Sequence, residues 1–418
     1  MRADVVVVGA GPAGLAAAVR LAEGGRRVRL VARGNGFTHW GAGAVDVLGR
    51  VGDRRVERPL EELAGLAADH PYRLVGEEAL RDGLDWFRGF AAAAGLDHQG
   101  DPARNRDQVT ALGTLRRTCL LPAPAAAELR GRVAVVGVAG FRDFSAALCA
   151  RGLERAGHTV RGAEVELPPW SHRRSFTAVE LARAFDDQGF RERLAPALAK
   201  AAAGAEVAVV PAVLGLSRGH EPWADLQRRA GLPLVEAALA PPCVPGLRLF
   251  GAWRRRLDEL GVSWQLGFPA TGVERDGDRV VAVRCEGAAR PVLIRCEEVV
   301  LATGGVAGHG VEANRDGSLS EVVAGLPVAG FPSRTGFVAG HFLAAHPMGA
   351  AGVRVDAELR PLGDDGAPLL ANLRCVGGLL AGHDATVEGS REGVALATAA
   401  RLAISGATNR TDQAVPRA

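Results

Sequence analysis

A chain of 418 residues, 48% of them hydrophobic, is long enough for two or more packed cores. Fifty basic against 47 acidic residues leave a net charge of +3, and no basic run alternates with aromatics, so the composition argues against nucleic acid as a partner. The one lysine, Lys200, the one tyrosine, Tyr72, and six cysteines scattered without a C-x-x-C pair leave almost no candidate for Schiff-base, phenol, zinc or iron–sulfur chemistry, and proton work falls to His, Asp, Glu and Arg.

The chain opens on ADVVVVGAGPAG, residues 3–14. The unbroken valines predict a strand buried on both faces, and Gly9, Gly11 and Gly14 follow in the spacing G-x-G-x-x-G of a dinucleotide turn. Gly9 permits the turn and Gly11 admits a pyrophosphate. Gly14 lets a helix, Pro12–Gly24, sit close on the strand, with Pro12 and Ala13 at its anion-binding end. The strand begins so soon after Met1 that no signal peptide fits, and no apolar run spans a bilayer, which leads us to expect a cytoplasmic or peripheral chain. A second strand, Arg27–Val31, ends where an acid normally grips the adenosine ribose. Ala32 and Arg33 stand there instead, Arg33 reading either as a phosphate contact or as a solvated strand end. A Gly-rich loop, residues 34–46, then carries His39, Trp40, Gly41, Gly43 and Asp46.

Short helical patterns fill 60–95, and the adjacent Arg116 and Arg117 read as a solvated edge. A second strand-to-helix start at 133–140 lacks the G-x-G-x-x-G spacing and reads as tightly packed scaffold. Helices at Phe144–Ala156, Ala178–Ala184 and Arg191–Ala202, with strands at Val160–Leu167 and Val207–Val213, complete an inserted α/β domain. After Gly246 come a helix, Leu247–Leu260, and strands at Ser263–Leu266, Val280–Cys285 and Val292–Cys296. A further strand runs into Ala302, Thr303 and Gly304. The Gly-dense segment 306–360 holds Arg334, His341 and His346, and 372–403 reads strand, Gly turn, loop and helix, with Gly382, Asp384, Gly389, Gly393 and Val394.

The predicted class is α/β, a discontinuous Rossmann-like domain of the FAD/NAD(P)-binding kind at 1–75, 246–305 and 361–405. An inserted α/β domain at 76–245, a cap segment at 306–360 and a tail at 406–418 complete the division.

Taken together, the opening turn, the ATGG strand end and the C-terminal signature resemble flavoproteins of the succinate dehydrogenase/fumarate reductase layout. RGNGFTHWGAGAVDVLG (33–49), HPYRLVG (70–76), TALGTLRRT (110–118), VAVVGVAGFRDF (133–144) and the GG-x4-HD-x4-G ending are similar, over nearly the full length, to the B subunit of anaerobic glycerol-3-phosphate dehydrogenase. That resemblance implies a flavin-bearing component that passes electrons from glycerol 3-phosphate towards quinone. Its partners would be a separate catalytic subunit and a membrane-associated iron–sulfur subunit, which hold it at the inner face of the membrane. It implies FMN, which the absent ribose-gripping acid suits, with FAD as the alternative. The Gly-rich loop would cover the flavin, with His39 either a covalent attachment point or a plain loop histidine. The C-terminal helix would aim its positive end at the ring. Ser390, Arg391 and Glu392 depart from the run of glycines expected there. Arg334 is the expected anion contact, and His341 or His346 the proton-transfer group. Two rival readings are a stand-alone fumarate-reductase-like flavin oxidoreductase and a non-catalytic assembly component that has lost its cofactor.

Overall fold

The structure, a computed structural model, describes residues 1–167, 175–288, 290–330, 336–342 and 344–411, of which 405–411 as backbone alone. The chain divides into two compact units. The first comprises 1–37, 46–87 and 253–418, the second 38–45 and 88–252. The divisions therefore fall at 87/88 and 252/253, where the sequence places them at 75/76 and 245/246. The segment read as a cap belongs to the first unit.

The first unit is built on a five-stranded sheet in the order Ser263–Leu266, Val28–Ala32, Val5–Val8, Glu298–Leu301, Leu373–Cys375. All four pairings are parallel. The opening valines lie at its centre with no more than 4% exposure, which is why that strand reads as continuous rather than alternating. The chain leaves Val5–Val8 towards Val28–Ala32 on one side and returns as Glu298–Leu301 on the other. This reversal opens a crevice beyond the carboxyl ends of the two central strands, the place where such sheets take ligands. The opening helix, Pro12–Glu23, packs against the C-terminal helix, Arg391–Thr411. Both contact faces are rich in alanine: Ala16, Ala17, Ala18, Ala397 and Ala400 are all fully buried, and such small side chains permit close axes. The C-terminal helix continues to Thr411, past the end expected at 405.

An antiparallel three-stranded meander, Ala270–Asp276, Arg279–Glu286 and Pro291–Arg295, also belongs to the first unit. Its first strand is absent from the sequence reading.

The second unit carries its own parallel sheet in the order Thr159–Val165, Arg132–Val138, Val207–Pro211, Leu234–Ala237. Helices Ala146–Arg155, Ala178–Phe185, Gln188–Ala201 and Glu221–Ala230 are interleaved with these strands. The tight packing expected of 133–140 is seen at Gly137, where a Cβ would stand 3.2 Å from that of Ala146, so strand and helix close up. Arg116 and Arg117 are not on a solvated edge. They lie in a two-stranded hairpin, where Arg116 donates to Gln108 and Arg117 pairs with Asp107. A buried bidentate ion pair, Arg248 with Glu236 at 2.7 and 2.9 Å, fixes a helix to the edge strand.

Candidate flavin site

The glycines of the opening turn have unlike surroundings. Gly9 sits at φ 116°, and a Cβ on it would come within 2.3 Å of the Ala302 carbonyl oxygen. A Cβ on Gly14 would fall 1.9 Å from the Gly9 oxygen. Gly36, beyond the second strand, approaches the turn equally closely, its missing Cβ 2.4 Å from the Ala10 oxygen and the Gly11 Cα. Gly11 differs from all of these, since no atom lies within 4 Å of the place where its Cβ would be. Backbone thus packs closely on Gly9, Gly14 and Gly36, while the Cβ side of Gly11 is left open.

The opening helix begins there with Pro12 in its first turn. Its N-cap residue, Gly11, offers no side-chain cap, and its first turn holds no acid. Its leading amides therefore have no side chain of their own to satisfy them, an arrangement that suits an anion. On the returning strand, Ala302 donates to the Val8 carbonyl at 2.8 Å and Gly304 takes φ 77°. Between them the shielded Thr303 hydroxyl has no hydrogen-bond partner among the described residues. Gly377, at φ 64°, brings the C-terminal segment onto Ala13, the missing Cβ 2.5 Å from that of Ala13. An open glycine and an uncapped helix start meet at the switch point, and they fit the pyrophosphate-bearing part of a dinucleotide, while the orphaned Thr303 hydroxyl lies beside Gly310.

Ala32 is buried at the end of the second strand and Arg33 is exposed. Both give their carbonyls to the turn after Ser263–Leu266, accepting from Phe268 and Gly267.

The C-terminal residues form a second cluster. Gly382 takes φ 87° with no room for a Cβ beside the Asp69 carbonyl. Asp384 caps the short helix Ala385–Glu388 by accepting from Thr386 and Val387 at 3.0 and 3.1 Å. Gly389 ends that helix at φ 63°. The C-terminal helix then starts at Arg391, two residues before the expected Gly393. Gly393 donates to the Asp46 carbonyl at 2.8 Å, and Val394 behind it is fully buried. The Arg391 guanidinium lies 3.7 Å above the Phe37 ring and donates to Thr386.

His39, Gly41 and Gly43 belong to the second unit. His39 packs edge-on between Trp40 and Phe250, with ring centroids at 4.8 and 5.1 Å. Gly41 gives its carbonyl close packing under Gly246. Gly43, at φ 74°, lies against Pro245 and shares its carbonyl with His98 Nε2 at 2.7 Å. In the first unit, His346 accepts from Ala339 at Nδ1 and meets the Phe342 carbonyl through Nε2, both at 3.0 Å. His341 is exposed, and Arg334 lies outside the described residues.

Sequence reasoning missed a buried polar group beside the second cluster. His70, 2% exposed, donates through Nε2 to Glu388 at 3.2 Å. Burial opposes the charge on Glu388, yet the His70 hydrogen bond and the neighbouring imidazoles outweigh it and hold this carboxyl below the usual range. His383 lies edge-on to His70. Burial pushes His383 down to about 4, and among the described residues neither of its ring nitrogens meets a hydrogen-bond partner of good geometry. The available signal was His70 directly before a proline, a helix-start position where its ring can act as a cap. Among the described residues no group of acidic, His and Cys side chains is arranged to hold a metal.

Residues 4–394 match the family described as FAD binding domain. The B subunit of anaerobic glycerol-3-phosphate dehydrogenase from Yersinia pseudotuberculosis serotype I (strain IP32953) is 32% identical over 418 residues, covering 96% of this chain and 97% of that one. The protein of the same name from Vibrio cholerae serotype O1 (El Tor Inaba N16961) is 31% identical over 420 residues, covering 96% and 95%. Among solved structures, 3-ketosteroid Δ1-dehydrogenase from Sterolibacterium denitrificans aligns with a TM-score of 0.47 at 14% identity, over 98% of this chain and all of that one. A flavocytochrome c3 fumarate reductase aligns with a TM-score of 0.45 at 12% identity, over 97% and 78%.

Proposed function

The chain belongs to the FAD-binding-domain family and to the family of anaerobic glycerol-3-phosphate dehydrogenase B subunits, and from that premise we propose that it is the flavin-carrying component of a multi-subunit enzyme that oxidises glycerol 3-phosphate to dihydroxyacetone phosphate. The flavin part of this reading rests on Gly11, open where Gly9, Gly14 and Gly36 are closed, in front of an uncapped helix start. The substrate part rests on likeness to the curated relatives over nearly the whole of both chains.

The cofactor in this reading is FAD. FMN, expected from the missing acid at Ala32 and Arg33, loses its support because the matched family is an FAD-binding one over residues 4–394. The adenosine would then be held without a carboxylate at that strand end. Gly9, Gly11, Pro12, Ala13 and Gly14 would hold the pyrophosphate, with Thr303 and Gly304 from the returning strand. Gly382, Asp384, Gly389, Gly393 and Val394 would shape the ring's surroundings. When bound, the flavin supplies the hydride acceptor for the C2 carbon. The oxidation also needs cations for the phosphate and a base for the C2 hydroxyl proton, which this chain supplies only together with a catalytic partner subunit. Arg334 is the anion contact in this reading. His341 or His346 is the proton-transfer group, the latter with both ring nitrogens engaged by backbone.

The electrons would leave through partner subunits towards quinone. No described helix is long and apolar enough to cross a membrane, so membrane attachment is assigned to a partner, as the word subunit in the relatives' names suggests.

The test is to purify the chain, denature it and identify the released flavin by chromatography. FAD in solution is the expected result. Released FMN would overturn the cofactor assignment, and a folded protein that takes up neither flavin would overturn the reading itself. Colour retained on the polypeptide would show a covalent bond and make His39 the residue to substitute. With an artificial dye and glycerol 3-phosphate, the chain alone should be inactive and become active with its partner subunits. Full activity alone would refute that division of labour.

A further inference from the structure

The His-Pro-Tyr stretch at 70–72 has no part in the glycine cradle, yet it makes three ties to the start of the C-terminal helix. His70 stands at the N-cap of the helix Pro71–Val75, and its Nδ1 accepts the Tyr72 amide at 3.1 Å. That bond places the ring proton on Nε2, which therefore donates to Glu388 Oε2. The same oxygen accepts from the Ser390 hydroxyl at 3.0 Å, and Oε1 accepts from the Asp384 amide at 3.2 Å. Tyr72 supplies the other ties. Its hydroxyl donates to the Val47 carbonyl at 2.6 Å, lies 3.4 Å from that of Ser390, and fills the place, 2.1 Å away, that a Cβ on Gly393 would need. His70, Tyr72 and Ser390 are each at most 2% exposed.

The turn between the two helices, Gly389 to Arg391, is thus gripped on both sides. Glu388 is held by His70 and in turn holds the Ser390 hydroxyl, and Gly393 is seated on Tyr72. A half-buried carboxylate that receives three hydrogen bonds is a stiff anchor, and removing one donor leaves the charge poorly compensated.

We propose that His70 and Glu388 are positioning residues for the flavin, a pair that fixes the Gly389–Arg391 turn so that the start of the C-terminal helix keeps a set position against the ring. This rests on the flavin-carrier reading. A helix start held in place favours a reduced, anionic ring through the positive end of its dipole. Loosening the turn therefore lowers both flavin affinity and reduction potential.

The test uses the full chain with added FAD. His70→Asn keeps a cap acceptor for the Tyr72 amide and loses the reach to Glu388, and Glu388→Ala removes the anchor. Each should weaken FAD binding about tenfold or more, the loss expected for a hydrogen bond to a charged group, and lower the midpoint potential of the bound flavin. The double variant should be no worse than the more affected single one, because the two act as one unit. Glu388→Gln, which keeps the volume and an oxygen for His70, should restore most of both quantities, and it decides the question if Glu388→Ala does not fold. Variants that melt earlier as apoproteins but bind FAD with unchanged affinity and potential would overturn the proposal and leave the pair a structural tie. Wild-type protein that binds no flavin would instead overturn the flavin reading.

Discussion

Gly11 and Gly14 lie in one turn and have opposite surroundings, so the same substitution separates folding from binding. At Gly14 a methyl group meets backbone at 1.9 Å, and backbone cannot swing away as a flexible side chain does. Gly14→Ala should cost about 1–3 kcal/mol of stability, read as an earlier melting midpoint with or without flavin. At Gly11 the methyl meets nothing, and φ of −77° suits alanine. Gly11→Ala should leave the apoprotein within about 0.5 kcal/mol of wild type while weakening flavin binding about tenfold or more by holding the phosphate away from the amides. An apoprotein melting shift of several degrees in Gly11→Ala would show that the open space is not the ligand's. The turn was legible in the sequence because all its requirements are local, three glycines and a proline within six positions. The His70–Glu388 pair was not, because its two members are 318 positions apart and neither has a local pattern that names the other.

Periodicity identified the elements buried on one or both faces and failed where burial is partial. The strands Val5–Val8 and Glu298–Leu301 are almost wholly apolar and fully or nearly buried, and they were found. Ala270–Asp276 is an edge strand that alternates poorly, carries a glycine and two register shifts, and owes its form to pairing with Arg279–Glu286. The helix Glu77–Ala93 shows another limit of local reading. Gly83 looks like a weak point in that helix, since alanine is favoured over glycine there by about 1 kcal/mol. The structure reverses that judgement. A Cβ on Gly83 would stand 2.6 Å from the Leu396 carbonyl of the C-terminal helix, and forcing two backbones apart costs about 1–3 kcal/mol. Gly83→Ala should therefore lower the melting midpoint, and a rise would mean that the helices separate at little cost.

Each unit buries histidines in their neutral form, and this sets how the whole chain responds to acid. In the first unit burial pushes His383 down to about 4. In the second, burial, aided by Arg248 and His98, pushes His220 down to about 3, and burial also lowers His98. An unfolded histidine takes up its proton near pH 6.5. Between about 6.5 and the lowered folded values, the unfolded chain holds more protons than the folded one. The stabilisation is complete above pH 6.5 and drains away as the pH falls towards 4 and then 3. Carboxylates held low by partners, Glu388 in the first unit and Asp225 in the second, lose their contribution only on further acidification, starting from their ordinary values of 4.5 and 3.8. Glu321 acts in the opposite sense: burial raises it, so its contribution is greatest in acid and is lost as the pH rises. Among the described residues, one opposed group against three histidines leaves the histidines in control above pH 4.5. Unfolding midpoints in urea should thus begin to fall near pH 6.5, about two pH units before carboxylate protonation begins. Substitution of His383 by asparagine should flatten that limb for amides of the first unit followed by hydrogen exchange, and His220→Asn should do so for the second. Midpoints that stay level down to pH 4.5 would mean that these rings are charged in the folded protein, with His383 finding a partner beyond the groups that surround it here.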